Sequence, residues 1–179
     1  MRKKILLIDD SSVILSIVSS FVEAAGYEVI TASNGEIGIN LAINKMPDLI
    51  LCDVNMPGLS GFDIISIIRT NKITAAIPFI FLSVSTDKDT IREGMVKGAD
   101  DYITKPFKKQ ELLDAINAQW KRNARIEAIV DSRIEESIKS LEKNITIQIN
   151  NIIKQVDNLN KKNIRYRCNR KTGRIDNQK

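Results

Sequence analysis

Residues 49–61 read LILCDVNMPGLSG. Four apolar residues, Leu49 to Cys52, run directly into a carboxylate, Asp53, and a loop carrying Asn55, Pro57, Gly58 and Gly61 follows. A short apolar run closed by turn-forming residues is the pattern of a strand buried on both faces. Asp53 then stands at the carboxyl end of that strand, on the edge where open α/β sheets bind their ligands. A second apolar run, Ile5 to Ile8, also ends in acids, Asp9 and Asp10. What the chain does turns on whether these three carboxylates meet.

Outward from this stretch, apolar runs alternate with helical patterns five times. Lys3 to Ile8 reads as the first strand. Ser11 or Ser12 caps a helix in which Val13, Ile14, Ile17, Val18, Phe21 and Val22 recur at helical spacing, and Gly26 ends it. Tyr27 to Ala32 is a second strand. Asn34 opens a helix to about Lys45, with Ile37, Leu41 and Ala42 on one face, and Met46 with Pro47 stops it. Beyond the strand Leu49 to Asp53 come a helix from Gly61 to Thr70 with Ile64, Ile65 and Ile68 inward, and a strand from Pro78 to Ser83. A weaker helix from Asp87 to Lys97 and a short strand from Asp101 to Thr104 follow, and Lys105-Pro106-Phe107 leads into the last helix. Such alternation with short connections predicts a parallel sheet with helices on both faces. Five units make a doubly wound α/β fold, for which 2-1-3-4-5 is a common strand order, although the pattern alone does not dictate it.

The 179 residues suit one medium domain plus an extension. With 43% hydrophobic but only 5% aromatic residues, the core has to be built from Ile, Leu, Val and Ala. The apolar run after the N-terminal basic residues is too short for a secretory signal and meets acids at once, and no stretch approaches membrane-spanning length. The expected location is the cytoplasm, with no membrane insertion. Cys52 and Cys168 make no metal-ligand pattern and fit a reducing compartment; Cys52 reads as an inert core residue. The chain has no histidine, which removes that residue as base, metal ligand or phosphate carrier. The net charge of +5 is unevenly spread: residues 1–119 hold 12 Lys/Arg and 15 Asp/Glu, whereas residues 120–179 hold 15 and 7.

The last helix does not stop where a five-unit domain should. No Gly or Pro occurs between Leu112 and Gly173. Ile126, Val130, Ile134, Ile138, Leu141, Ile145, Ile149, Ile152, Val156 and Leu159 recur in steps of three and four. Their mean spacing is roughly 3.67 residues, nearer an eleven-residue repeat than a heptad. One amphipathic helix cannot bury such a stripe alone, so a single helix is expected from about Lys108 to Leu159, self-associating through residues 126–159 as a coiled-coil homodimer. Residues 161–179 carry 8 bases and 1 acid and are expected to be disordered unless bound. The expected organisation is residues 1–120 as the α/β domain, 121–160 as an extended helix and 161–179 as a basic tail.

Three clustered carboxylates repel one another unless a cation joins them. Magnesium prefers hard oxygen ligands and keeps several waters, so it needs few protein ligands, and once bound it attracts a phosphoryl group. Ser83 ends the fourth strand with a hydroxyl and Lys105 follows the fifth with a fixed positive charge. An aspartate carboxylate can itself be the nucleophile in phosphoryl transfer, giving an acyl phosphate, with the hydroxyl and ammonium stabilising charge on the transferring oxygens.

With the acidic pair Asp9-Asp10, Asp53 before the Asn55-Met56-Pro57-Gly58 loop, Ser83, Tyr102 and Lys105-Pro106-Phe107 in this order, residues 1–120 resemble the receiver domain of two-component response regulators. The resemblance implies a flavodoxin-like sheet with order 2-1-3-4-5. It implies that Asp53 accepts a phosphoryl group from the phosphohistidine of a partner histidine kinase or phosphotransfer protein. It further implies that Asp10, Asp53 and the Asn55 carbonyl ligate Mg²⁺, with Asp9 acting on the metal mainly through water. Lys105 and Ser83 would hold the phosphoryl oxygens, Tyr102 would be a rotamer switch coupled to Ser83, and the Lys105–Pro106 bond would be cis. Val84 stands where the family usually has a small residue, so a branched side chain is expected to narrow the approach to Asp53. No output domain is recognisable after residue 120. A nucleic-acid-binding regulator using the basic tail is the alternative reading, although residues 120–179 show no helix-turn-helix pattern. The Asp53-Val54-Asn55 sequence also resembles aspartate-nucleophile phosphatases, but Asn55 stands where those enzymes carry their general acid.

Overall fold

The structure, a computed structural model, describes residues 2–172. Its elements in chain order are β1 (Lys4–Ile8), α1 (Ser12–Ala24), β2 (Glu28–Ala32), α2 (Gly35–Lys45), β3 (Leu49–Asp53), α3 (Gly61–Thr70), β4 (Phe79–Ser83), α4 (Lys88–Val96), β5 (Asp101–Thr104) and α5 (Lys109–Thr172). The five strands form one parallel sheet in the order β2-β1-β3-β4-β5. The chain divides into two compact units, the first ending at Asn123 and the second beginning at Ala124.

Within the first unit, side chains alternate across the sheet, as a strand period of two requires. Leu6 and Ile8 of β1 pack with Ile50 and Cys52 of β3 on the face covered by Ala42 of α2 and Ile64, Ile65 and Ile68 of α3. Ile5, Leu7, Leu49 and Leu51 point the other way, against Val18 and Val22 of α1 and Leu112 and Ile116 of α5. Every residue of β3 and β4 is buried, so both strands read as continuous apolar runs. Each fully buried Ile or Leu contributes about 1.5–3 kcal/mol relative to exposure.

The helix starts are chemical. Ser11, Asn34, Ser60 and Asp87 each accept a backbone N–H from the first turn that follows, and Ser60 with Asp63 forms a reciprocal capping box. Gly26, with φ +91°, carries the chain out of α1 in a conformation that favours glycine.

Three expectations need correction. The inward face of α2 is Gly35, Gly38 and Ala42, while Ile37 is 45% exposed. The cause is close approach: a Cβ on Gly38 would lie 2.5 Å from Ile8 Cδ1. On α1, Val13 and Ile17 face solvent, leaving Val18 and Val22 as its buried anchors. The last helix does not end at Leu159: it continues through residues 161–172, which were expected to be disordered. Nothing in that stretch breaks a helix before Gly173, and Lys and Arg are good helix formers. Residues 173–179 of the expected tail lie outside the described residues.

Two polar clusters pin the first unit at the amino end of the sheet. Arg69 of α3 donates to the carbonyls of Ala75, Ile77 and Gly98 at 2.7–3.0 Å and pairs with Asp100 at 2.9 Å. Trp120 Nε1 donates to Tyr27 Oη at 3.1 Å, Tyr27 Oη donates to Asn117, and the Lys3 ammonium sits 4.0 Å above the Trp120 ring. Gln119, also on α5, donates to the Asp100 carbonyl. No helix among the described residues is long and apolar enough to cross a membrane.

Gly61 offers the sharpest stability test, because a Cβ there would collide with the carbonyl oxygen of Asp53 and lie 2.9 Å from Val54 Cα, both backbone atoms that cannot rotate away. Gly61→Ala is expected to cost about 1–3 kcal/mol, as overpacking does, read as a lowered urea midpoint.

Candidate functional site

The sheet register brings the site residues together. Ile8 lies beside Cys52, so Asp9 and Asp53 follow on neighbouring strands; Ser83 lies beside Thr104, so Lys105 follows next to it. The Lys105 backbone N–H donates to the Ser83 carbonyl at 2.6 Å, tying the ends of β4 and β5. The Lys105–Pro106 bond is cis.

Asp9 and Asp53 are both buried, at 1% and 6% exposure. The Lys105 ammonium lies between them, 2.6 Å from Asp9 Oδ2 and 2.6 Å from Asp53 Oδ1. The remaining carboxylate oxygens also have partners: Asp9 Oδ1 accepts from the Ser11 N–H at 2.9 Å, and Asp53 Oδ2 from the Asn55 N–H at 3.0 Å. Burial pushes the Asp53 carboxyl above the usual aspartate range, with the Asp9 charge adding to the shift and Lys105 opposing it. For Lys105, burial acts to lower the ammonium's pKa, but the two carboxylates outweigh it and hold the group above its ordinary value. Burial, followed by the charges of Asp53 and Asp9, drives the Cys52 thiol well above its ordinary value, so Cys52 is an unreactive core residue.

Lys105 joins two of the three acids, Asp9 and Asp53. Asp10, one residue past buried Asp9, is exposed, and its side chain makes no hydrogen bond to the described residues. Among the described residues, no group of three or more His, Cys, Asp or Glu is gathered as a metal site. The chemistry of the donors nevertheless suits a hard divalent cation: carboxylates and a main-chain carbonyl are what magnesium takes. The Lys105 ammonium, bridging Asp9 and Asp53, already occupies the place between them as a cation.

Ser83 is fully buried, and its Oγ accepts the Ser85 N–H at 3.1 Å. Tyr102 Oη reaches the Ser85 carbonyl at 3.4 Å, and its ring packs 6.1 Å from that of Phe81. Ser85 is thus held from both sides, by Ser83 through its N–H and by Tyr102 through its carbonyl. Sequence reading passed over Ser85; the signal was the Ser-x-Ser spacing, with which a hydroxyl bonds the backbone two residues on. Val84 is 67% exposed, and Asn55 is exposed on the loop after Asp53.

Comparison with known proteins agrees with this geometry. Residues 5–117 match the response regulator receiver domain. The phosphate regulon transcriptional regulatory protein of Pseudomonas aeruginosa is 37% identical over 120 residues, covering 67% of this chain and 52% of that protein. The alkaline phosphatase synthesis transcriptional regulatory protein of Bacillus subtilis is 37% identical over 130 residues, covering 73% and 49%. The chain therefore spans about half the length of these relatives. A response regulator receiver domain protein from Clostridium thermocellum superposes with TM-score 0.65 at 36% identity, over 69% of this chain and 98% of that one. A chemotaxis response regulator of Vibrio cholerae does so with TM-score 0.63 at 33% identity, over 66% and 98%. Sheet order, strand-end residues and these matches agree: the chain belongs to the response regulator receiver domain family.

Proposed function

We propose that Asp53 accepts a phosphoryl group from the phosphohistidine of a partner histidine kinase or phosphotransfer protein, and that the helical extension transmits the result. The observation that carries this reading is the Lys105 ammonium held 2.6 Å from both Asp53 and Asp9 at the carboxyl edge of the sheet. An Asp53 oxygen attacks phosphorus while the P–N bond of the phosphohistidine breaks, its electron pair staying on the imidazole nitrogen, and an acyl phosphate forms. This chain contains no histidine, so the donor belongs to another protein. Lys105 turns its charge to the phosphoryl oxygens and the Ser83 hydroxyl donates to one of them. Asp10, Asp53 and the Asn55 carbonyl would hold Mg²⁺, with Asp9 acting through water; the ion, when bound, neutralises charge on the phosphoryl oxygens.

Turning the Ser83 hydroxyl toward a phosphoryl group releases the Ser85 N–H, and Tyr102, bonded to the same residue, responds. Tyr102 is therefore the proposed switch, acting through Ser85. The chemistry is confined to the chain's own phosphorylation and dephosphorylation, in the cytoplasm, and the output element is a homodimer formed through residues 126–159. A second reading, nucleic-acid binding, is favoured by exposed Lys161, Lys162 and Arg165 on α5 and by relatives such as the DNA-binding dual master transcriptional regulator of Synechocystis.

Incubation with a small phosphodonor and Mg²⁺ should add one phosphoryl group to the chain by mass spectrometry and none to Asp53→Asn; undiminished labelling of that variant refutes the assignment. Lys105→Met should still accept phosphate but roughly a hundredfold to a thousandfold more slowly, as when one charge-stabilising donor is removed. For the second reading, duplex DNA should bind the full chain with an affinity that falls steeply with salt, and Lys161→Glu with Lys162→Glu should flatten that slope.

A further inference from the structure

The ten stripe residues from Ile126 to Leu159 are each 47–61% exposed in the described structure. At a rise of about 1.5 Å per residue they form a ridge ~50 Å long, more apolar surface than an unpartnered soluble helix leaves open. Successive helical residues are ~100° apart, so the residue after each stripe member lies on one flank and the residue before it on the other.

The two flanks differ in charge. The following positions include Glu127, Asp131, Glu135, Glu142 and Asp157, with Lys139 as their one base. The preceding positions include Arg125 and Arg133 and not one acid; except for Ile129, the rest are Ser, Asn and Gln. A two-fold axis along a parallel helix pair sets each following flank against the partner's preceding flank. An antiparallel pair, with its axis across the helices, sets following against following, so acids meet acids. The stripe's unequal steps of three and four also match themselves without shift only in a parallel, in-register pair.

We propose that the partner of this face is a second copy of the chain, aligned parallel and in register, with the acidic flank of each helix against the arginine-bearing flank of the other. Arg133 faces Asp131 and Glu135 of the other copy. The near-eleven-residue period makes the pair almost straight or slightly right-handed rather than a left-handed supercoil. Pairing in this sense brings the two copies together at residue 124. The inference specifies the output element proposed above but needs no phosphorylation.

The test uses the full, unphosphorylated chain. Sedimentation should show a dimer that Ile138→Asp with Ile145→Asp dissociates; a monomer at tens of micromolar overturns the proposal. With Cys168→Ser to remove the second thiol, Ile126→Cys and Leu159→Cys should each give disulfide-linked dimers alone on oxidation. Cross-linking only when those two variants are mixed would mean antiparallel pairing and overturn it. Arg133→Glu should weaken the dimer roughly tenfold, the scale of two symmetry-related surface pairs lost and turned repulsive, and adding Glu135→Arg should restore it. An unchanged dissociation constant for Arg133→Glu removes the charge basis for the orientation. Failure of these tests leaves phosphoryl acceptance at Asp53 standing, and loss of labelling at Asp53 leaves the dimer standing.

Discussion

Two carboxylates buried side by side at the end of a parallel sheet need a cation between them. Here that cation is Lys105, 96 residues from Asp9 and 52 from Asp53 along the chain. The three groups meet only when β1, β3 and the end of β5 are aligned in one sheet, so the site exists only once the sheet is complete. Burying charges is costly unless each is paired and its remaining hydrogen-bonding capacity met. Ser11 and Asn55 meet it with backbone N–H groups, each two residues past the acid it serves. The turns after β1 and β3 are therefore part of the charge balance as well as connections.

Much of this was readable from the chain. Apolar runs ending in Asp9, Asp53 and Ser83 could only be buried strands, and the βα alternation required a parallel sheet. The site's polar ends were visible because they interrupt those runs. What escaped reading depended on backbone proximity. Ile37 looked like a core residue on periodicity, but Gly35 and Gly38 let α2 lie so close that glycine itself forms the buried face. Asp10 and Asp9 are alike in sequence but differ in burial, Asp9 being enclosed and Asp10 open to solvent, a difference set by the packing around them. The role of Ser85 belongs to its main chain, and its one sequence signal is the Ser83 hydroxyl two residues before it. Loss of the apolar stripe after Leu159 predicts an end to the helix there, but stripe and helix are separate properties, and α5 runs on to Thr172.

The two units follow different design rules. The first buries Ile and Leu on both faces of a sheet. The second, from Ala124, displays its Ile and Leu along a helix. The relatives named above are about twice as long as the matched region, and the family match, residues 5–117, lies in the first unit. Residues after 123 are therefore where this chain has to be understood from its own surface, through period, flank charge and exposure.

Trp120 is the chain's one tryptophan, and it stands three residues before the first unit ends. Its indole N–H is bonded to Tyr27, and the Lys3 ammonium lies over its ring. An indole held this way senses the local electric field, so its emission carries information about how firmly α5 is seated against the base of the sheet. The protein thus has a built-in optical gauge at the point where α5 leaves the first unit, readable without any attached dye.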